Sequence, residues 1–306
     1  MTSVVPAMTG TQWAIEADGH RAVVVEVGGS LRHYSVGDVQ VLDGFEADEI
    51  SPASAGQILA PWPNRIRDGH YEFEGQAHQL ALTEPARHNA IHGLANWVRW
   101  ALVEQSADAV TVACELPAQV GYPWWLTLRT RWSVSAAGLT CTQEVVNNSA
   151  TNAPWGYSVH PYLQLPGVSV DDTVLHVPGK TRIQPDSRLL PIGYVPVAGT
   201  EFDFTAARAI GDLVMDVSFG EIEHDANGVT EVTIADPNSD RKVVVWADDK
   251  FKYWQIFTGD TLHGERFRRS VAIEPMTCPP DSFRTGRDLI VLAPGESWTA
   301  TWGIRS

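Results

Sequence analysis

Cysteine is scarce, with only Cys114, Cys141 and Cys278 in 306 residues. An odd count, wide spacing and no Cys-Xaa-Xaa-Cys pair fit neither a disulfide framework nor a zinc knuckle, so a reducing compartment is the simpler expectation. Basic residues are also in deficit: 22 Lys and Arg against 37 Asp and Glu give 22 − 37 = −15. Nucleic acid and anionic membrane surfaces both call for basic patches, so neither partner is expected. No apolar run reaches the ~18 residues that span a bilayer. Met1 to Gly10 has no basic stretch followed by an apolar one, so a cytoplasmic protein is expected. Asn147-Asn148-Ser149 matches the glycosylation pattern, which carries little weight without a sign of secretion. Low-complexity linkers, composition shifts and repeats of about 20–50 residues are missing as well, so residues 1–306 are read as one domain. No exposed apolar helix announces an interface, which leaves monomer and homodimer equally open.

Helical periodicity is weak, and Asp203 to Ile210 is the best candidate for a short helix or turn. What recurs instead is a period of two. Alternating stretches run from Ala22 to Val27, Val39 to Leu42, Val110 to Cys114, Trp125 to Trp132, Leu139 to Val146, Val229 to Ala235, Lys242 to Trp246 and Ser297 to Trp302. Breaks such as Asp68-Gly69, Glu74-Gly75, Ala137-Gly138, Asn227-Gly228 and Pro294-Gly295 punctuate them, as hairpins require. With 44% hydrophobic residues the chain can bury a large core. An all-β fold is expected, a large antiparallel β-sandwich, since one open sheet of this size would leave a face exposed.

Three residues stand out for chemistry. Glu274 lies in Ile273-Glu274-Pro275, after an apolar strand-like stretch where a carboxylate is costly to bury without a partner or a task. His92 lies in Asn89-Ala90-Ile91-His92-Gly93, and His160 in Val159-His160-Pro161-Tyr162. A carboxylate and an imidazole at strand ends can pass one proton each way across a small substrate, with no metal and no cofactor. Twelve tryptophans are many for this length. Most are expected in the core, with Trp62 and Trp254 set apart as candidates to stack on an apolar sugar face. Arg65, inside a Pro-Asn-Arg turn, offers a fixed guanidinium for oxygens. His88, Asp171-Asp172 and Asp248-Asp249 read as solvated, and Arg266-Phe267-Arg268-Arg269 as a surface cluster with an anion pocket as the lesser alternative.

Taken in order, Pro61-Trp62-Pro63-Asn64-Arg65-Ile66, Gly69-Xaa-Tyr71-Xaa-Phe73-Xaa-Gly75, Asn89-Ala90-Ile91-His92-Gly93, His160-Pro161-Tyr162, Gln255-Ile256-Phe257-Thr258-Gly259 and Ile273-Glu274-Pro275 resemble the signature of the aldose 1-epimerase (galactose mutarotase) family. The resemblance runs from about Gly28 to Trp302 and implies an antiparallel β-sandwich. It implies Glu274 as catalytic base, His160 as catalytic acid, and His92 and Arg65 as residues that bind and polarise the sugar. Asp216 best fits the substrate-binding aspartate, with Asp212 as the fallback, and Gln255 falls where a glutamine lines the site. The implied reaction opens and recloses the ring of an aldohexose, free or carrying a phosphate or sulfonate at C6, and Arg32, Arg182 and Arg266 to Arg269 would serve such an anion. In that scheme Glu274 begins ionised and His160 protonated. The competing class is a non-catalytic carbohydrate-binding or sensing sandwich, which could dispense with both. A glycoside hydrolase ranks last, because it needs a second flanking carboxylate.

Overall fold

The computed structural model describes residues 7–306 and is built almost wholly of antiparallel strands. A nine-stranded sheet runs in the order Ala101–Gln105, Ala109–Leu116, Leu126–Ser135, Gly138–Asn147, Ser297–Arg305, Lys242–Ala247, Thr230–Ala235, Val174–His176, Arg208–Ala209. An eight-stranded sheet contains Pro191–Pro196, Gly179–Pro185, Asp216–Ile222, Tyr253–Phe257, Val271–Met276, Ser158–Val159 and Ile58–Leu59, with Tyr162–Leu163 also on Val271–Met276. A four-stranded sheet covers Gln12 to Gln40. The sheets enclose one main apolar cluster in which Trp100, Trp132, Trp155, Trp254 and Trp302 are fully buried.

The alternation read from the sequence is what packs the sandwich. In Leu126–Ser135 and Gly138–Asn147 every second residue is buried, so each strand turns one face to the core. The two strands pair in register from Leu126↔Asn147 to Ser135↔Gly138, and the turn closes at Gly138, as the Ala137-Gly138 break anticipates. Val271–Met276 differs: all six residues are buried, because a central strand is covered on both faces. This is why Glu274 can be buried in a strand rather than sit on a rim.

Of the two readings expected for Asp203 to Ile210, a short helix or a turn, the turn holds. Asp203 to Ile210 forms no helix; it is turns followed by the short strand Arg208–Ala209, with the Asp203 carboxylate accepting from Thr205 and Gly199. Side-chain bonds of this kind favour turns over helix. Among the described residues the one α-helix is Ser282–Thr285, a single turn whose Phe283 packs into the core. No helix among the described residues is long and apolar enough to cross a membrane.

Candidate active site

The parity of three neighbouring strands assembles the floor of a cleft. Ser218 pairs with Gln255, and Gln255 with Glu274, so these three share one face, with Asp216 two residues along from Ser218. The opposite parity, Val217, Ile256 and Ile273, faces the core. His160 follows the strand Ser158–Val159, fixed by its N–H to the Gln57 carbonyl at 3.1 Å and by its own carbonyl accepting from Gly56 at 2.8 Å. A two-stranded ladder, Arg65↔Ile91 to Arg67↔Asn89, supplies the wall. It brings His92 beside Arg65, because the His92 N–H donates to the Asn64 carbonyl at 3.0 Å.

Glycine makes this wall possible. Gly93, at φ +74°, lies so close to Ala60 that a Cβ would stand 2.1 Å from its carbonyl oxygen. The Ala60 carbonyl also accepts from Leu94 and Ala95, so the chain after His92 lies flat against the Ala60 backbone. His92 itself is left-handed at φ 64°, a conformation uncommon outside glycine and held here by the surrounding hydrogen bonds.

The cleft encloses about 300 Å³, the lower end for small-molecule sites, and is lined by Arg65, His92, His160, Tyr162, Asp216 and Glu274 among others. His160 Nε2 lies 3.3 Å from Glu274 Oε1, and the two side chains are 8% and 3% exposed. The His92 ring meets that of His160 edge-on, with centroids 5.6 Å apart, and Tyr162 stacks on His160 at 4.8 Å. Arg65 Nη2 stands 3.7 Å from Asp216 Oδ2. Asp216 is steadied from behind by Gln255, whose Nε2 donates to Oδ1 at 2.5 Å and whose Oε1 accepts from Ser218. Glu274 Oε2, His92 Nδ1 and His160 Nδ1 are buried without a hydrogen-bond partner among the described residues, an arrangement that calls for an explanation.

Desolvation dominates the electrostatics. Burial pushes the Glu274 carboxyl well above the usual carboxylate range, with Asp216 adding to the rise and Arg65 opposing it. Burial lowers His160 to about 4, helped by Arg65, and takes His92 well below its ordinary value, helped by His160 and Arg65. Hence burial favours a neutral acid beside a neutral imidazole, whereas the resemblance implied an ion pair at rest. The two descriptions hold the same number of protons; burial in low dielectric disfavours the charged one.

Residues 11–305 match the aldose 1-epimerase family. The chain belongs to that family. It is 32% identical over 290 residues to the uncharacterized protein YihR of Escherichia coli K12, covering 94% of this chain and 91% of YihR. It is 28% identical over 292 residues to a maltose epimerase of Levilactobacillus brevis, covering 85% and 84% of the two chains. A GalM/aldose epimerase homologue from C. elegans superposes with a TM-score of 0.85 at 15% identity, over 96% of this chain and 98% of the other, and supports the fold.

Within this member of the aldose 1-epimerase family, the expected residues divide. Glu274, His160, His92, Arg65 and Asp216 meet in the cleft; Asp212 is exposed and lies outside it. Gln255 is buried one layer back and reaches the cleft through Asp216. Trp62 and Trp254 need correction, since neither lines the cleft. Trp62 is 3% exposed and packs edge-on against Phe283, 5.7 Å away. Trp254 is fully buried, with its indole N–H on Thr230 Oγ1 at 3.2 Å. Strand parity is the reason: if Gln255 faces the cleft, its neighbour must face the core.

The arginines also separate. Arg268 is engaged by Asp171 and Asp260, so Asp171 is not merely solvated. Arg182 lies over Phe202, 4.2 Å from its centroid. Arg32, Arg266 and Arg269 enter a different, larger cleft of about 910 Å³, where Asp43 holds Arg269, lies 3.8 Å from Arg266, and Glu46, Glu49 and Glu265 offset the positive charge. None of these arginines reaches Glu274. His88 is exposed, as expected, and pairs with Asp68. Residues that line the cleft without having been singled out include Glu84, Arg87 and Tyr162. Tyr162 was findable, being two residues beyond His160; Glu84 offered only an acidic residue before a proline.

Proposed function

We propose that the protein is an isomerase, an aldose 1-epimerase that interconverts the α and β anomers of an aldohexose, free or carrying a phosphate or sulfonate at C6. One observation carries the reading: a carboxyl and an imidazole 3.3 Å apart at the floor of a sugar-sized cleft, each with a buried atom that lacks a partner. Membership in the family and the relative named maltose epimerase support it.

In the proposed reaction Glu274 takes the proton from the anomeric hydroxyl while His160 gives one to the ring oxygen, and the C1–O5 bond breaks to leave an open-chain aldehyde. Rotation about C1–C2 presents the other carbonyl face, and the reverse transfers close the ring. Opening leaves Glu274 protonated and His160 neutral, the pair of states that burial favours. Burial of the pair therefore favours the open-chain stage, and transfer of the proton across 3.3 Å prepares the ionised pair for a cyclic sugar. Arg65 and His92 hold the oxygens on which charge develops, worth about 3 kcal/mol for each well-placed donor. Asp216 accepts a sugar hydroxyl. Saturation-transfer NMR of anomer exchange in glucose, galactose, maltose, glucose 6-phosphate and sulfoquinovose tests the reading. Exchange of at least one sugar well above buffer is expected; binding without exchange would make the protein a sugar sensor.

A further inference from the structure

On this reading of the cleft, we propose that Glu84 is a positioning residue that fixes the guanidinium of Arg65 and moderates its charge toward the Glu274–His160 pair. Glu84 grips one edge of that guanidinium: Nε donates at 3.0 Å and Nη2 at 3.1 Å, a two-point geometry that fixes plane as well as distance. The two side chains are 14% and 10% exposed, so water screens the contact little. Asn64 Oδ1 accepts from Nη1 at 3.3 Å, leaving the corner at Nη2 turned to Asp216.

Glu84 is itself held. It accepts from Asn89 Nδ2 at 2.9 Å and from Arg87 Nη1 at 3.0 Å. The turn Pro85–Arg87 beside it is clamped from outside by Arg188, which donates to the Arg87 carbonyl at 2.8 Å, Asp68 Oδ1 at 2.8 Å and Asn89 Oδ1 at 3.2 Å. Burial pushes the Glu84 carboxyl up, but Arg65, with Asn89 and Arg87, more than offsets this and holds it below its ordinary value.

The titratable and charged groups facing Glu274 and His160 are His92, Tyr162, Asp216 and Arg65, with Glu84 and Arg87 further along the cleft wall behind Arg65. Arg65 draws the values of both Glu274 and His160 down. Removing the charge of Glu84 leaves that influence uncompensated, so both groups should titrate at lower pH. Shortening the side chain while keeping the charge should leave titration in place and only misplace Arg65.

Wild type, Glu84→Gln and Glu84→Asp separate these effects. The pH profile of kcat/KM for anomer exchange is measured with the best sugar, and the histidine ring resonances are titrated by NMR without sugar. Glu84→Gln should lower kcat/KM about tenfold or more and move both limbs to lower pH. Glu84→Asp should raise KM more than it lowers kcat, with the limbs unmoved. Values within twofold of wild type per folded molecule and unmoved limbs in both variants, even with a lower melting temperature, would make Glu84 merely structural and overturn the proposal. If wild type exchanges no sugar, the enzymatic reading falls, and the histidine titration still decides for Glu84: a downward shift in Glu84→Gln alone supports it, and no shift overturns it.

Discussion

Acid should destabilise this protein through His160 by an amount that a His160→Gln variant escapes. Burial lowers the folded imidazole from 6.5 to about 4. A depressed folded value means that stability is present above the unfolded value and is lost as pH falls through the folded one. The window therefore runs from about pH 6.5 down to about 4. At pH 4 the unfolded imidazole is fully protonated and the folded one about half, a loss of about 3 kcal/mol relative to pH 7. Little discount for solvent is due, because the side chain is 8% exposed. Carboxylates titrate in the same range in both proteins, so the informative quantity is a difference of differences. Urea unfolding followed by tryptophan fluorescence, at pH 7 and pH 4, provides it. Wild type should lose about 3 kcal/mol more than His160→Gln. Equal losses would mean that the fold does not hold His160 neutral, and the proton assignment for the Glu274–His160 pair would be wrong.

Two further substitutions probe the scaffold. Gly93→Ala places a Cβ 2.1 Å from the Ala60 carbonyl oxygen at a positive φ, so it should cost at least about 2 kcal/mol and disturb His92; an unchanged melting temperature would contradict the close approach. Trp254→Phe removes the bond to Thr230 and some core volume, and should cost about 1–3 kcal/mol while leaving KM within twofold. A clearly raised KM would return Trp254 to the sugar.

Much of the fold was legible because strand periodicity is local. Leu139 to Val146 and Lys242 to Trp246 lie within the observed strands Gly138–Asn147 and Lys242–Ala247. At Asp203 to Ile210, expected as a short helix or turn, the turn prevails because the Asp203 carboxylate captures the Thr205 N–H. Glu274 stood out because a charged residue in an apolar strand carries its own signal, and His160 because it stands at a strand end beside Pro161-Tyr162. Trp62 and Trp254 misled because an indole serves a core as readily as a sugar, although parity with Gln255 would have assigned Trp254. Glu84 gave no signal, since its role depends on Arg65, 19 positions away, and on a turn clamped by Arg188. The arginines followed the same rule: Arg32, Arg266 and Arg269 converge through the fold into a cleft of their own.

The most direct measurement is anomer exchange by saturation-transfer NMR, with wild type beside Glu274→Gln and His160→Asn, using the sugar that responds best. Wild type should exceed buffer clearly, and each variant, shown folded by its melting transition, should fall by a factor of about 100 or more, as expected when an acid or base in the transition state is lost. Retention of wild-type rates in either folded variant would contradict the proposed pairing of carboxyl and imidazole.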